Sequence, residues 1–169
     1  YILYPMLAGQ AAPQQLDARP AADTQKDEAD KNPAPDFTVY DIEGNAVSLS
    51  GYLGKPIVLN FWASWCGPCQ SEMPDFNEKY AGLGGDVHFV MVNMTDGGRE
   101  TVETASAFIE KNGYNFPVFF DTTGEAAATY GAYSLPTSFF INAEGHVIAQ
   151  AVGAIDAATL QQGIDMITN

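Results

Sequence analysis

An apolar run, PIVLNFWA, extends from Pro56 to Ala63. It has the length of a strand and no alternation of apolar and polar residues, which is typical of a strand buried on both faces. It is far shorter than the roughly 20 apolar residues needed to cross a bilayer. Because a sheet covered on both sides requires helices in both outer layers, this run favours an α/β fold.

After Pro35 the chain alternates between strand-like and helix-like patterns, which predicts a three-layer α/β sandwich with a mixed sheet and helices on both faces. The final helix has Asp156 as its N-cap. The other predicted elements are a hairpin around 43–45, a helix from Cys66 to about Tyr80 with Pro74 inside it, a strand over Val87–Met94, a helix over Glu100–Gly113, a strand in FPVFFDT, a short helix in EAAATYGA, and a hairpin turning at Glu144–Gly145.

Residues 1–35 differ from the remainder, which we take as one domain, 36–169. The first nine residues, YILYPMLAG, are apolar, and a stretch rich in Ala, Pro, Asp and Gln follows. That stretch has no hydrophobic period, so it predicts a flexible linker, with a helix packed on the domain as the alternative. We interpret the apolar start as the remnant of a membrane anchor. An arm that docks on the domain is the other interpretation.

The net charge of −14 is strongly acidic, and the seven Lys and Arg residues are scattered. An acidic chain repels phosphate backbones, so we expect no nucleic-acid partner. The two cysteines, Cys66 and Cys69, cannot form a framework of several disulfides, so the fold must depend on its own core. We expect a monomer.

Three uses of the pair Cys66-Gly67-Pro68-Cys69 need to be weighed. A structural zinc site requires four ligands, and His88 and His146 lack the spacing to supply the other two. A stabilising cross-link is disfavoured because the loop it would close is very short. Redox exchange remains, and we expect no metal and no cofactor other than the Cys66–Cys69 disulfide.

Redox exchange also agrees with the local physics, because a helix N-terminus stabilises a thiolate. Cys66, at the predicted helix start, is the expected exposed nucleophile, and Cys69, one turn further, is the shielded resolving thiol. Gly67 permits a tight entry to the helix, and Pro68 suits its first turn. Trp62 and Trp65 flank the pair as apolar walls, although either suits an ordinary core or rim position.

The stretch FWASWCGPC, followed by Pro74 and later by Leu135-Pro136-Thr137, resembles the thioredoxin superfamily. The flanking sequence from Pro35 to Thr168 is most similar to its TlpA/ResA-like thiol–disulfide oxidoreductases. That resemblance implies a thioredoxin-like fold with two additions, an N-terminal β-hairpin and a central inserted helix and strand. It also implies an extracytoplasmic protein tethered to the cell membrane.

The resemblance carries roles for further residues. It implies a cis Leu135–Pro136 bond facing the disulfide, with Thr137 beside it presenting backbone to substrate. It suggests that Glu72, one turn beyond Cys69, handles protons for the cysteines. An ordinary favourable interaction of a first-turn carboxylate with the helix dipole explains the residue equally well. Cytosolic thioredoxins usually carry an Asp where this chain has Asn60, and an amide cannot exchange protons at neutral pH.

We therefore predict a thiol–disulfide oxidoreductase that reduces protein disulfides through a mixed disulfide at Cys66, with Cys69 resolving it. Glu72 is the third catalytic candidate, and we assign Trp65, Gly67, Pro68, Leu135, Pro136 and Thr137 to substrate binding. The resemblance implies a membrane thiol electron donor and exported clients of the cytochrome c maturation type.

A thiol peroxidase on the same fold and a non-catalytic binding module are the alternatives. Peroxiredoxins commonly carry Thr three positions before the reactive Cys and an Arg nearby. Here Ala63 takes the place of the Thr, and Arg99 is the only arginine of the domain, so the peroxidase is disfavoured.

Overall fold

The computed structural model describes residues 16–18, 32–83 and 85–169. Eight strands and four α-helices form in these ranges. The strands are β1 Asp17–Ala18, β2 Thr38–Tyr40, β3 Ala46–Ser48, β4 Ile57–Trp62, β5 His88–Asn93, β6 Val118–Phe120, β7 Thr137–Ile141 and β8 Val147–Val152, and the helices are α1 Gly67–Leu83, α2 Val102–Asn112, α3 Glu125–Tyr130 and α4 Ala157–Thr168.

One mixed sheet contains all the strands in the order β1-β8-β7-β4-β5-β6-β2-β3. Strands β4, β5 and β6 are parallel, and β7 pairs antiparallel with β4. The predicted N-terminal hairpin, β2–β3, joins the far edge through the pair Tyr40 and Phe120. The inserted helix and strand are α2 and β6. The mixed three-layer α/β architecture is confirmed.

Two apolar cores cover the two faces of the sheet. Helices α1, α2 and α4 pack on one face, together with Val58 and Trp62 of β4. Helix α3 packs on the other face, with Ile57, Leu59 and Phe61. Since side chains alternate along a strand, Asn60 lies on the same face as Val58 and Trp62, beneath α1.

Two helix boundaries differ from the sequence-based prediction. Helix α2 begins at Val102 rather than Glu100, because Thr101 is its N-cap and accepts a hydrogen bond from the Thr104 backbone N–H at 3.1 Å. Its end at Gly113, which has a left-handed backbone conformation, is as predicted. Helix α1 continues past Tyr80 to Leu83. Asp156 caps α4 through the Thr159 N–H, as predicted.

Parts of the region before residue 36 contact the sheet. Strand β1 pairs antiparallel with β8, and Leu16 packs against the larger core. The Ala34 N–H donates to the Gly145 carbonyl at 2.8 Å, and the Val147 N–H donates to Asn32. Contacts with the domain therefore begin before residue 36. The proposed anchor, residues 1–9, lies outside the described residues, and no helix within them is long and apolar enough to span a bilayer.

Candidate active site

The cysteine pair lies where strand β4 passes into helix α1. The Cys66 N–H donates to the Ala63 carbonyl at 3.2 Å, which closes a turn over residues 63–66. The Cys66 carbonyl then accepts the Gln70 N–H, the first hydrogen bond of the helix. Parallel strand β5 ends beside β4, so the pair lies at the carboxyl end of the parallel strands, where ligands bind in open α/β sheets.

Cys66 and Cys69 form a disulfide, with their Cα atoms 5.2 Å apart. The Cys69 N–H points at the Cys66 sulfur, 3.2 Å away. This contact is the helix N-terminal stabilisation predicted for a thiolate at that position. The predicted exposure of Cys66 is wrong for this oxidised form: the residue is only 4% exposed, because it lies at the base of a groove. Cys69 is fully buried, as predicted.

A groove of about 720 Å³ opens above Cys66. Of the residues assigned to substrate binding, Trp65, Gly67, Pro68 and Leu135 line it. Trp65 is 43% exposed, and the Arg99 guanidinium lies 3.7 Å from the centre of its ring. Trp62, the other predicted wall, is instead buried in the core against Phe108. The remaining lining residues are Met94, Thr95, Asp96, Asp121, Thr122, Thr123, Gly124, Ala132 and Tyr133.

The Leu135–Pro136 peptide bond is cis, as the resemblance implies. Pro136 and Thr137 are both buried and do not line the groove. The Pro136 carbonyl accepts the Gly153 N–H at 2.7 Å, and Thr137 pairs with Phe61 on one side and Val152 on the other. Thr137 backbone is therefore already used within the sheet, and Leu135 is the residue of the three that meets the groove.

Glu72 lies in α1 on its buried side, on the same helical face as Cys69. One carboxylate oxygen accepts from the Asn60 Nδ2 at 2.8 Å, and the other accepts from the Ile155 N–H at 3.1 Å. Burial raises the pKa of Glu72 to about 7, although these two hydrogen bonds act in the opposite direction. The carboxyl group can therefore both take up and release a proton near neutral pH.

Asn60 joins Glu72 to strand β7. Its Nδ2 donates to Glu72 and also to the Ser138 hydroxyl, at 2.9 Å. Its Oδ1 is buried and accepts no hydrogen bond from the described residues. Asn60 is thus only half satisfied, whereas an ordinary strand amide would have both ends paired.

Glu100 is the residue of this region that the sequence analysis missed as a site component. It is buried beside the turn that precedes Cys66, and its carboxylate accepts hydrogen bonds from Ser64, Asn93 and Thr104. The available signal was an acid directly before a helix N-cap, a pattern that ordinarily indicates only a favourable interaction with the helix dipole.

Residues 31–150 match the model of the AhpC/TSA family. ResA from Bacillus thuringiensis subsp. konkukian, a thiol–disulfide oxidoreductase, is 37% identical over 138 residues, which cover 80% of this chain and 76% of that protein. The chain belongs to the AhpC/TSA family and is a ResA-like thiol–disulfide oxidoreductase.

Solved structures of this ResA-like type agree with the fold. A Chlorobium tepidum protein, assigned as a DsbE thiol:disulfide interchange protein, is 35% identical with a TM-score of 0.70, covering 79% of this chain and 93% of its own. The exposed lipoprotein thioredoxin Etrx1 of Streptococcus pneumoniae is 32% identical with a TM-score of 0.65, covering 78% and 98%. The thioredoxin-like fold is therefore confirmed.

Proposed function

We propose that this ResA-like protein reduces disulfides in polypeptides outside the cytoplasm through the Cys66–Cys69 pair. The observation that carries the proposal is the asymmetry of the two sulfurs. Cys66 lies at the base of the groove and receives the Cys69 N–H, whereas Cys69 is fully buried behind it. Only one of the two can meet a substrate first.

The reaction is two thiolate displacements. In the reduced protein the Cys66 thiolate attacks one sulfur of a substrate disulfide, forming a mixed disulfide and releasing the other substrate sulfur, which takes up a proton. Cys69 then loses its proton, attacks Cys66 and releases the second substrate thiol. Two electrons pass to the substrate and the Cys66–Cys69 disulfide forms, so the protein needs no dissociable cofactor.

Glu72 is the proposed acceptor of the Cys69 proton. It lies one turn from Cys69 on the buried side of the helix, where water does not reach it. With a pKa of about 7, it is ionised often enough to accept a proton and gives it up readily afterwards. Asn60 and the Ile155 N–H fix the orientation of its two oxygens.

The groove is the proposed substrate site. Trp65 and Leu135 supply apolar lining of the groove, and Gly67 and Pro68 line it beside Cys66. Leu135, which lines the groove, is the proposed residue that presents its main chain to an extended substrate. Pro136 and Thr137 shape this loop from beneath.

Net reduction is the proposed direction. The dipeptide between the cysteines, Gly67-Pro68, is that of thioredoxin, whose reduction potential is ~−270 mV. Such a pair needs a continuing supply of electrons, and we propose a membrane thiol protein as the donor. Exported cysteines that must stay reduced, such as the haem-binding cysteines of cytochromes c, are the proposed clients.

Tethering at the outer face of the membrane is part of this proposal. The order of apolar start, long polar spacer and folded domain supports it, as does the similarity to the exposed lipoprotein Etrx1. We propose that the protein works as a monomer. Fractionation of cells producing the full chain, followed by protease treatment of intact cells or spheroplasts, tests the location.

Insulin reduction by the wild type, Cys66→Ser and Cys69→Ser tests the reaction. We expect turnover to be lost in both variants, and a stable mixed disulfide to accumulate only in Cys69→Ser. Clients captured by that variant in intact cells then identify the substrates. Turnover that survives in Cys69→Ser would contradict the two-thiol mechanism.

A thiol peroxidase is the second candidate, because Arg99 lines the same groove as Cys66. In that reaction Cys66 would become a sulfenic acid as peroxide is reduced to water, and Cys69 would displace a second water. Ala63 stands where peroxiredoxins commonly carry a Thr, and it is buried without any hydroxyl to offer. Peroxide consumption that persists in Cys69→Ser would favour this candidate.

A further inference from the structure

Glu100 is a buried carboxylate that the exchange reaction does not use. One oxygen accepts from the Ser64 backbone N–H and from Asn93 Nδ2, the latter at 3.0 Å. The other oxygen accepts from the Ser64 hydroxyl at 2.7 Å and from the Thr104 hydroxyl at 2.5 Å. A carboxylate with four donors and full burial is a built site rather than a chance surface contact.

The donors come from three separate elements. Ser64 is inside the turn of residues 63–66 that ends at the nucleophile, Asn93 is the last residue of β5, and Thr104 is in the first turn of α2. Glu100 therefore fastens the active-site turn to the strand and the helix beside it. The residue before Glu100, Arg99, contacts the same turn at the Trp65 ring.

Glu100 is charged in this setting. Burial opposes its ionisation, but the hydrogen bonds from Ser64, Thr104 and Asn93 outweigh burial and hold the pKa of the carboxyl below its ordinary value. Within the described residues, no cation contributes to that lowering. The negative charge is stabilised by dipoles alone, so it is not neutralised where it lies.

We propose that Glu100 is a positioning residue that anchors the turn carrying Cys66 and places a fixed negative charge behind it, which makes the Cys66 thiol harder to ionise. The Cα atoms of Ser64 and Cys66 are two residues apart, so they lie within ~7.6 Å of each other. The Glu100 carboxylate holds Ser64 itself through two hydrogen bonds, so it is fixed beside this turn, and a like charge there disfavours the thiolate. A less stable thiolate makes the dithiol the stronger reductant, the opposite of an oxidase, whose reduced form is stabilised.

Other charges also face Cys66. Arg99 lies over Trp65 and favours the thiolate, whereas Asp96 and Asp121 in the groove disfavour it. Arg99 and Asp96 are exposed, so water and salt screen them, whereas Asp121 is buried and accepts the Ala126 and Ala127 N–H groups. Glu72 lies on the buried side, behind Cys69. Glu100 differs from Arg99 and Asp96 because it is buried, and from Asp121 because it is hydrogen-bonded to the turn that carries Cys66. The proposal concerns the chemistry of the sulfur pair, and it does not depend on the identity of the client.

Glu100→Gln is a suitable test because the site can accept an amide. The amide oxygen can face the two N–H donors, Ser64 and Asn93, while the amide nitrogen faces the hydroxyls of Ser64 and Thr104. Hydroxyls can turn to accept, and the Thr104 hydroxyl has a second acceptor in the Thr101 carbonyl at 3.1 Å. Glu103→Gln is the matched control, since it removes an exposed carboxylate from the same helix turn.

The measurements are the pKa of the Cys66 thiol, from the pH dependence of alkylation of the reduced protein, and the equilibrium with glutathione at pH 7. In Glu100→Gln we expect the Cys66 pKa to fall by about one unit and the equilibrium to shift several-fold towards the dithiol. Glu103→Gln should match the wild type. A merely structural role would alter thermal stability without this directed change in pKa. An unchanged or raised Cys66 pKa in folded Glu100→Gln would overturn the proposal.

A second measurement needs no variant at Glu100. In wild-type protein labelled with 13C at the glutamate carboxyls, the Glu100 signal should show an inflection at the Cys66 pKa when the protein is reduced. The oxidised protein should show none there, because coupled groups report each other's titration. A Glu100 signal that does not respond to Cys66 would also overturn the proposal. Insulin reduction in the same preparations tells this failure apart from a failure of the exchange reaction itself.

Discussion

The Asn60 amide nitrogen lies 2.8 Å from a carboxylate oxygen of Glu72, across the interface between strand β4 and helix α1. Cytosolic thioredoxins usually carry the titrating group on the strand. Here the strand supplies a neutral donor and the helix supplies the acid, so the proposed proton acceptor lies on the segment that carries the cysteines. A shift in α1 would therefore move Cys69 and Glu72 together.

The raised pKa of Glu72 predicts a pH-dependent cost to folding. The Glu72 carboxyl has a pKa of about 7 in the folded protein and 4.5 as its ordinary value. Its contribution to the unfolding free energy is therefore fully present below pH 4.5 and is lost as pH rises through 7. The full loss is about 3 kcal/mol. Relative to wild type, Glu72→Gln should therefore gain about 3 kcal/mol of unfolding free energy between pH 4 and pH 8.

Urea unfolding of the oxidised proteins at both pH values measures this difference. Glu78→Gln, which alters an exposed carboxylate on the same helix, is the control and should show little change. If the two variants behaved alike, Glu72 would have an ordinary pKa and could not act as the proposed proton acceptor at neutral pH.

Replacing Asn60 by Asp should create a coupled pair of acids. The new carboxyl would face Glu72 at hydrogen-bond distance, and two buried carboxylates that close cannot both ionise without a large penalty. We expect Asn60→Asp to lose at least about 2 kcal/mol more stability at pH 8 than at pH 5. Asn60→Ala, which removes the donor without adding a charge, should show a smaller difference of the same sign, because the lost hydrogen bond lowers the Glu72 pKa. If Asn60→Asp lost the same stability at pH 5 as at pH 8, the two side chains would not interact.

The contact between Arg99 and Trp65 predicts a spectroscopic change. Trp62 is fully buried and Trp65 is 43% exposed, so acrylamide quenching of the tryptophan fluorescence reports mainly on Trp65. Removing the guanidinium uncovers one ring face and loses about 0.5–1 kcal/mol of cation–π attraction. We expect Arg99→Ala to increase quenching clearly, and Lys111→Ala, on the exposed end of α2, to leave it unchanged. If quenching in Arg99→Ala equalled that in the wild type, the guanidinium would not lie on the ring in solution.

Gly163 in helix α4 predicts a large difference between two glycine substitutions. A Cβ atom at Gly163 would lie 2.3 Å from the ring of Phe140, a buried residue of β7. Gly163→Ala should therefore lose about 1–3 kcal/mol through overpacking. At Gly82 in α1 the same atom meets nothing within 4 Å, so Gly82→Ala should gain up to about 1 kcal/mol from helix propensity. Thermal unfolding of both variants checks the pair, and a stabilised Gly163→Ala would contradict the packing of α4 against β7.

Local elements were predictable where a residue acts through its own backbone. The apolar run ending at Ala63 formed β4, Gly113 ended α2 in a left-handed conformation, and Asp156 capped α4. The position of Cys66 at the start of the helix, and of Cys69 inside its first turn, was also predicted from the local sequence pattern. These features depend on neighbours within a few residues, and the sequence displays such neighbours directly.

Features that depend on distant contacts were not predictable in the same way. The pairing of Tyr40 with Phe120, which joins the first hairpin to the sheet, links residues from opposite sides of the active site in the chain. The low exposure of Cys66 depends on the walls around it, and the role of Glu100 depends on a turn 36 residues earlier. An acid before a helix looks the same in sequence whether its carboxylate meets water or a buried turn.

Strand β7 lies beside β4 in the middle of the sheet, although it comes from the last third of the chain. During synthesis, both sulfurs and their helix emerge from the ribosome long before the loop that forms the facing wall. A growing chain that ends ahead of Leu135 thus carries both cysteines without the residue that completes the groove above Cys66. The groove is whole only after the loop before β7 has left the ribosome.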